Sequence, residues 1–382
     1  MLDVETTHVL EVEGLERLVE ALVARDYDVV APRVADGAIA LDLITHADQL
    51  PIGRGDEQAP GRYRLTDRDD EARFGYAVGP TSPKRWLLPP RSQIFQATAE
   101  GDAFRPEAAT TPDRRHAFLG LRPCELAGIA RQDRVFIRDD LRDALYADRR
   151  DQALLIVVHC GDPAGTCFCA SLGTGPRAEA GFDLALTEVL GEHHRFVVEV
   201  GSDAGAELVA ELDLPPATEA DLSAARAVTD RAADSMGRSL DTEGLREDLL
   251  GALESPRYRD VARRCLACGS CTLLCPTCFC TGMVDSSELD GSGAARTRVW
   301  DSCFTIGFSY IHGQSIRSSV AARYRQWLTH KLATWADQFG ELGCVGCGRC
   351  ITWCPVGIDI TEEARAIRAT AVPQAVPQED RP

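Results

Sequence analysis

Apolar residues recur at helical spacing near the start of the chain and then alternate at strand spacing. Within residues 14–27 the apolar side chains share one face of a predicted helix, and they are Leu15, Leu18, Val19, Leu22 and Val23. Residues 28–34 and Ala38–Ile44 have the pattern of strands, with a turn at Asp36 and Gly37 between them. The pattern predicts a helix followed by a β-hairpin.

More strands and helices are predicted as far as residue 255. Apolar runs at 117–121, Leu154–Val158 and Arg195–Val200 are typical of buried strands. Helical spacing follows in three segments, 206–212, 219–236 and 242–253. Residues 1–255 are therefore predicted to form a mixed α/β domain, whose ligand the pattern does not identify.

The second half of the chain repeats one cysteine pattern. The two runs are Cys265, Cys268, Cys271 and Cys275, followed by Pro276, and Cys344, Cys347, Cys350 and Cys354, followed by Pro355. Each has the spacing C-x2-C-x2-C-x3-C-P, which binds a [4Fe–4S] cluster. The two runs predict two such clusters and a role in electron transfer.

The spacing also predicts which cysteines share a cluster. In two-cluster proteins of this kind the fourth Cys of each run binds the other cluster. The first cluster is therefore assigned to Cys265, Cys268, Cys271 and Cys354. The second cluster is assigned to Cys344, Cys347, Cys350 and Cys275. Structural zinc also uses C-x2-C pairs, but two complete runs with a terminal proline make zinc the weaker interpretation.

Seven cysteines lie outside the two runs: Cys124, Cys160, Cys167, Cys169, Cys278, Cys280 and Cys303. Four of them occur in one repeated tetrapeptide, Thr-Cys-Phe-Cys, at 166–169 and 277–280. Side chains two positions apart in a strand share a face, so such a pair can supply two ligands. One interpretation is a third iron–sulfur cluster drawn from these seven residues. The other is small buried thiols, because their spacing matches no standard four-cysteine run.

The segment between the runs sets the predicted fold class. Residues 308–339 lack proline and place Tyr and Trp at roughly helical intervals, which favours an all-helical module. The fold class is therefore α+β, with the mixed α/β domain followed by an all-helical dicluster ferredoxin domain at 256–365. Residues 366–382 end in a polar, proline-rich sequence and are predicted to be a disordered tail.

Composition narrows the classes of function. The net charge of −18 over 382 residues opposes binding to nucleic acid. The longest apolar stretch, 153–158, is too short to cross a bilayer, and the first residues lack an export signal, so a cytoplasmic location is expected. No nucleotide-binding glycine motif, catalytic triad or HExxH run is present, so no catalytic residues are predicted.

Longer segments resemble one known family. They are LPIGRGDEQAPGRYRL from Leu50, LRPCELAGIARQDRVF from Leu121, TCFCASLGTGP from Thr166, GFDLALTEV from Gly181, CPTCFC from Cys275 and CGRCITWCPVGID from Cys347. With these marks, residues 27–360 resemble the iron–sulfur beta subunit of sulfhydrogenase-type, NAD(P)-linked [NiFe] hydrogenases. The equivalent electron-transfer subunit of anaerobic sulfite reductase is a relative of that family. The segment 79–90 departs from the family pattern at Thr81 and Pro83.

The resemblance implies cubane clusters on the matching cysteines and a place in a heteromeric complex. Its implied partners are the large and small subunits of a [NiFe] hydrogenase and a subunit that binds FAD and NAD(P). Neither nucleic acid nor membrane is an expected partner. Three other functions stay open: the electron-transfer subunit of an anaerobic sulfite reductase, a free-standing thiol or sulfur reductase, and a zinc-held scaffold.

Overall fold

The computed structural model describes residues 6–101, 103–108, 114–138 and 140–371. Its strands are β1 Thr7–Glu11, β2 Tyr27–Ala35, β3 Ala38–Ile44, β4 Arg54–Ala59, β5 Arg62–Asp67, β6 Arg91–Glu100, β7 Ala103–Ala108, β8 Arg115–Leu121, β9 Ile137–Arg138, β10 Leu141–Arg142, β11 Leu154–Val158, β12 Leu184–Val189, β13 Arg195–Val200, β14 Thr281–Ser287, β15 Gly293–Trp300, β16 Tyr310–Ile311 and β17 Gln314–Ser315. Its α-helices are α1 Gly14–Ala24, α2 Lys84–Leu87, α3 Pro123–Phe136, α4 Ala144–Asp151, α5 Asp203–Glu211, α6 Glu219–Asp234, α7 Leu245–Gly251, α8 Arg257–Arg264, α9 Ser270–Leu273, α10 Val320–Thr329, α11 Trp335–Phe339, α12 Arg349–Thr352 and α13 Ile360–Arg368. Shorter helical turns are the 3-10 segments Ala47–Gln49 and Cys169–Leu172 and the π-helical segment His330–Thr334.

A seven-stranded sheet forms the centre of the N-terminal part, in the order β1-β13-β12-β11-β8-β2-β3. The pairings among β12, β11, β8 and β2 are parallel, and those towards both edges are antiparallel. Every residue of β11 is buried. Its continuous apolar sequence is what a central strand covered on both faces requires.

Alternate side chains of β11 enter two different cores. Leu154, Ile156 and Val158 belong to the core that includes α1 and α5. Leu155 and Val157 belong to the core that includes α3 and α4. Because successive side chains of a strand point to opposite faces, one apolar run supports helices on both sides of the sheet.

The predicted elements of this part are largely confirmed. The strands Ala38–Ile44, Leu154–Val158 and Arg195–Val200 have the predicted bounds. The first helix ends at Ala24, before the predicted residue 27, because Asp26 has a φ of 59° that a right-handed helix excludes. The mixed α/β character of the N-terminal part is present in the structure.

A second sheet, in the order β14-β15-β6-β7, combines strands from both halves of the chain. Strands β14 and β15 lie between the two cysteine runs, and β15 pairs with β6. The prediction of an all-helical module at 256–365 is therefore not confirmed, because these strands form a hairpin on an existing sheet edge. Within 308–339 the helix begins at Val320, where the Ser319 hydroxyl accepts a hydrogen bond from the Ala322 N–H.

The last helix, α13, continues to Arg368, past the expected start of the tail at 366. Its N-cap is Asp359, whose carboxylate accepts a hydrogen bond from the Thr361 N–H. The rest of the predicted disordered tail, residues 372–382, lies outside the described residues.

A buried ion pair joins the second cysteine run to the α/β part. Arg349, 1% exposed, pairs with Glu125 at the start of α3. The same guanidinium donates hydrogen bonds to the carbonyls of Gly79 and Thr81, at 2.7 and 2.8 Å. The segment 79–90, which departs from the family pattern, thus contacts the cysteine-bearing part of its own chain.

Glu125→Ala is expected to lower the free energy of unfolding by about 3–5 kcal/mol, because it leaves the Arg349 charge buried and unpaired. Urea unfolding of protein prepared without oxygen measures this. The control is Glu254→Ala, which removes the partner of Arg325 at a side chain 91% exposed, where a loss of about 0–1 kcal/mol is expected. Equal losses in the two variants would contradict the expectation.

Candidate metal centre

The two cysteine runs adopt the same local conformation. In each, a glycine with positive φ stands directly before a one-turn helix: Gly269, with φ 78°, before α9, and Gly348, with φ 75°, before α12. A left-handed residue is costly for any side chain with a Cβ, so glycine suits both positions. Each loop therefore turns sharply between its second and third Cys.

Backbone N–H groups point at sulfur in both loops. The Ala267 N–H donates to Cys265 Sγ, and the Gly346 N–H donates to Cys344 Sγ, each at 3.4 Å. The two donors occupy equivalent positions and have positive φ angles of 52° and 62°. Such bonds favour negative charge on the sulfur.

The fourth Cys of the second run lies with the first run. Cys265, Cys268, Cys271 and Cys354 line one apolar pocket, together with Phe304 and Trp327, and Cys350 of the second run lines it as well. Burial raises the pKa of Cys265, and negative charge on Cys354 raises it further. The Ile358 N–H donates to Cys354 Sγ at 3.3 Å. The structure thus brings together the four cysteines assigned from spacing to the first cluster.

The fourth Cys of the first run lies with the second run. Burial raises the pKa of Cys350, and charges on its neighbours Cys344, Cys347 and Cys275 raise it further. Burial raises the pKa of Cys344 to about 12, with Cys275 and Cys347 again among its neighbours. The four cysteines assigned to the second cluster are therefore close together as well.

Lys331 stabilises charge on the second group. It is 4% exposed, and its ammonium donates to Cys275 Sγ at 3.3 Å and to the Gly343 carbonyl at 3.1 Å. Burial lowers the pKa of Lys331, but charges on Cys275 and Cys278 outweigh this and raise it. A hydrogen bond from Cys278, with the charge of Lys331, holds the pKa of Cys275 well below its usual range.

Buried donors that lack a partner surround both groups, which fits an anionic acceptor between the sulfurs. Nε and Nη1 of Arg323 and the Tyr324 hydroxyl have no hydrogen-bond partner among the described residues, and both side chains are close to the first group. Arg349 Nη1 also has none in the described part of the chain, and Arg349 lies beside Cys347. Buried polar groups are almost always satisfied, so a group that accepts hydrogen bonds is expected here. Across the described ranges, no three His, Cys, Asp or Glu side chains meet closely enough for a single metal ion.

The other seven cysteines form two sets. Cys278, Cys280 and Cys303 line a cavity of about 740 Å³ beside the second group. Cys124, Cys160, Cys167 and Cys169 are buried in the α/β part. Cys124, Cys167 and Cys169 lie close to Cys347, and Cys160 lies close to Cys167 and Cys169. The two Thr-Cys-Phe-Cys segments therefore do not share a site.

The α/β part holds the second loop by a close backbone contact. The Phe168 N–H donates to the Gly346 carbonyl at 2.8 Å. A Cβ at Gly346 would stand 2.6 Å from the Cα of Cys169. The first group has a similar support, because Tyr63 stacks on Trp353, with ring centroids 5.1 Å apart, next to Cys354.

Sequence reasoning missed the cationic and aromatic groups around the sulfurs. Lys331, Arg323 and Tyr63 belong to no recognised sequence motif, and only the fold places them at the cysteines. The composition could have drawn attention to two of these groups, because Lys84 and Lys331 are the only lysines in the chain. Both are buried near cysteine.

Residues 264–358 match the family of 4Fe-4S dicluster domains. The matched range contains all eight cysteines of the two runs. The thiol groups and this match define the class: the chain is an iron–sulfur protein with a 4Fe-4S dicluster domain. Among helices in the described ranges, none is both long and apolar enough to pass through a membrane.

The chain is similar to the sulfhydrogenase 2 subunit beta of Pyrococcus furiosus, with 31% identity over 301 residues. The alignment covers 78% of this chain and 86% of the relative. The chain therefore belongs to the family of sulfhydrogenase beta subunits, which are iron–sulfur, electron-transfer subunits. This confirms the resemblance found in the sequence.

Gly346→Ala is expected to lower the free energy of unfolding by more than the roughly 1–2 kcal/mol of a left-handed alanine, because its Cβ also collides with Cys169. Iron content after anaerobic purification should fall with it. Urea unfolding and iron analysis measure the two effects.

Gly340→Ala is the matched control for this variant. Gly340 has a similar φ of 73°, but a Cβ there meets no atom within 4 Å. In Gly340→Ala the free energy of unfolding should fall only by the cost of a left-handed alanine, and the iron content should not change. If both glycine variants behave alike, the contact with Cys169 does not hold the loop.

Proposed function

We propose that this subunit conducts electrons through two [4Fe–4S] clusters between a [NiFe]-hydrogenase module and a flavin subunit that handles NAD(P)H. The hydrogenase module would consist of a large and a small subunit, and the complex would be cytoplasmic. The observation that carries the proposal is the pair of four-cysteine groups, each closed by a sulfur from the other run. The sulfhydrogenase relative supports the choice of complex.

The proposed ligands follow the spatial groups. Cys265, Cys268, Cys271 and Cys354 would hold the first cluster, and Cys344, Cys347, Cys350 and Cys275 the second. We retain the division into 1–255, 256–365 and 366–382 as a proposal. In this division, the α/β domain supports the ferredoxin-type domain through the ion pair between Arg349 and Glu125 and through the contact at Gly346.

When bound, each cluster supplies one-electron transfer, at a potential set by charge, hydrogen bonds and burial. The residues of this chain set those conditions. The N–H groups of Ala267, Gly346 and Ile358 donate to the ligand sulfurs. Lys331 adds a positive charge beside Cys275. Donors and a cation both favour the more negative, reduced state, and thus raise the potential.

The alternative partner, an anaerobic sulfite reductase, needs the same cluster ligands and has no observation that favours it. Purification of the chain with its natural partners separates the two. Co-purification with a sirohaem subunit instead of hydrogenase subunits would replace the proposed complex with this alternative.

A complex reconstituted without this chain is expected to lose hydrogen-driven reduction of NADP, because no path remains to the flavin subunit. The hydrogenase module should still reduce a small artificial dye with hydrogen, which serves as the control. The measurement is NADPH formation under hydrogen. Undiminished NADPH formation without the chain would refute the proposed role.

Cys354→Ser is expected to impair the cluster of the first run, although Cys354 belongs to the second. After reduction, the electron paramagnetic resonance spectrum of the Cys354→Ser variant should therefore match that of Cys268→Ser. The control is Cys347→Ser, which should impair the other cluster and give a different spectrum. If Cys354→Ser instead matches Cys347→Ser, the exchange of fourth ligands is wrong.

A further inference from the structure

The cavity beside the second cysteine group is lined by three thiols that neither run uses. Cys278, Cys280 and Cys303 contribute to its wall, together with His330 and Arg317. Its volume of about 740 Å³ lies within the range of about 300–1,000 Å³ typical of ligand and cofactor sites. The cavity is large enough for a prosthetic group.

The fold sets the three thiols against one another. The Asp301 N–H donates to the Cys280 carbonyl at 2.9 Å, at the open end of the β14–β15 hairpin. This pairing brings Cys303 into contact with Cys280, and the two thiols form a hydrogen bond. Cys278 lies three residues after the last cysteine of the first run, and its thiol forms a hydrogen bond with Cys275.

Two buried ammonium groups face this set. Lys84 is 3% exposed, with Nζ 3.2 Å from the Thr272 carbonyl and 4.2 Å from the centre of the Trp300 ring. Cys278, Cys275 and Cys280 are among its charged neighbours, and Cys275, Cys278 and Cys344 are among those of Lys331. Neither lysine makes an ion pair with any carboxylate of the described residues. Burial lowers the pKa of Lys84, and negative charge on Cys278, Cys275 and Cys280 opposes this. A buried ammonium is costly unless paired, so negative charge at the sulfur-bearing site would stabilise it.

The indole nitrogens of the cavity point to the same conclusion. Trp327 and Trp335 line it, and their Nε1–H groups are buried without a partner among the residues that the structure describes. Buried donors without a partner favour an acceptor nearby, and an anionic group in the cavity would also compensate the lysines.

We infer that Cys278, Cys280 and Cys303 hold a third iron–sulfur cluster in this cavity, with Lys84 and Lys331 compensating its charge. Three thiolates would hold three irons of a cubane, and a non-thiolate ligand would complete the fourth. Cys303 also lies close to Cys271, and Cys278 to Cys275, so the site adjoins both proposed clusters. The inference deepens the proposed function and rests on it for the electrons that the third cluster would exchange.

The second set of thiols lacks these features. Arg122, the cation beside Cys160, donates to the carbonyls of Phe74, Tyr76 and His159. Arg349, beside Cys124, is paired with Glu125. Arg122 thus donates to three carbonyls and Arg349 has a carboxylate partner, whereas Lys84 donates to one carbonyl, that of Thr272. That set therefore provides the comparison for the test.

The test is iron and sulfide analysis of the full chain purified without oxygen. Wild type should contain about twelve irons per chain, and Cys303→Ser about eight. Cys167→Ser, from the other set, should keep the wild-type iron content. Electron paramagnetic resonance should show one signal lost in Cys303→Ser and none lost in Cys167→Ser.

Cys280→Ser is the second variant, needed if Cys303→Ser does not fold, and circular dichroism checks both. About eight irons in wild type would overturn the third cluster but leave the two-cluster proposal intact. Loss of iron in Cys167→Ser, but not in Cys280→Ser or Cys303→Ser, would also overturn it. A wild-type chain without iron would refute the proposed function itself.

Discussion

The exchange of the fourth cysteine between the two runs is the constraint on which the rest of this structure depends. Cys354 lies with the thiols of the first run, and Cys275 with those of the second. Neither group is complete until both loops have met. The insertion between the runs must therefore return the chain to its starting point, and α10 lines the first pocket through Tyr324 and Trp327.

Charge compensation explains why positively charged side chains surround the sulfurs. The chain has a net charge of −18, yet the sulfurs are surrounded by buried cations. Lys331 contacts Cys275, Arg349 lies beside Cys347, and Arg323 is near Cys265. A thiolate group buried among apolar side chains would be unstable without such neighbours, since each charge would lose its hydration. The cations allow clusters to be shielded from water and still carry charge.

The α/β part acts as a frame for these loops. Its backbone at Phe168 and Cys169 packs on Gly346, its helix α3 supplies Glu125, and its strand β5 supplies Tyr63. The β14–β15 hairpin extends a sheet begun by β6, which couples the insertion between the runs to the same frame. These contacts fix the loops from several sides, so loop geometry depends on the whole chain.

Local patterns in the sequence predicted five of the seven strands of the main sheet, β2, β3, β8, β11 and β13, and identified the eight cysteines of the two runs and the membership of the family. The strands β1 and β12 were not predicted. The predicted features depend on spacing along the chain, which periodicity and motif report directly. Tertiary structure alone decided that 281–300 would join another sheet, because an edge strand finds its partner through space. It also decided which of the seven remaining thiols face Lys84 and Lys331. Burial and charge pairing between distant residues leave no periodic trace, and only the folded chain brings them together.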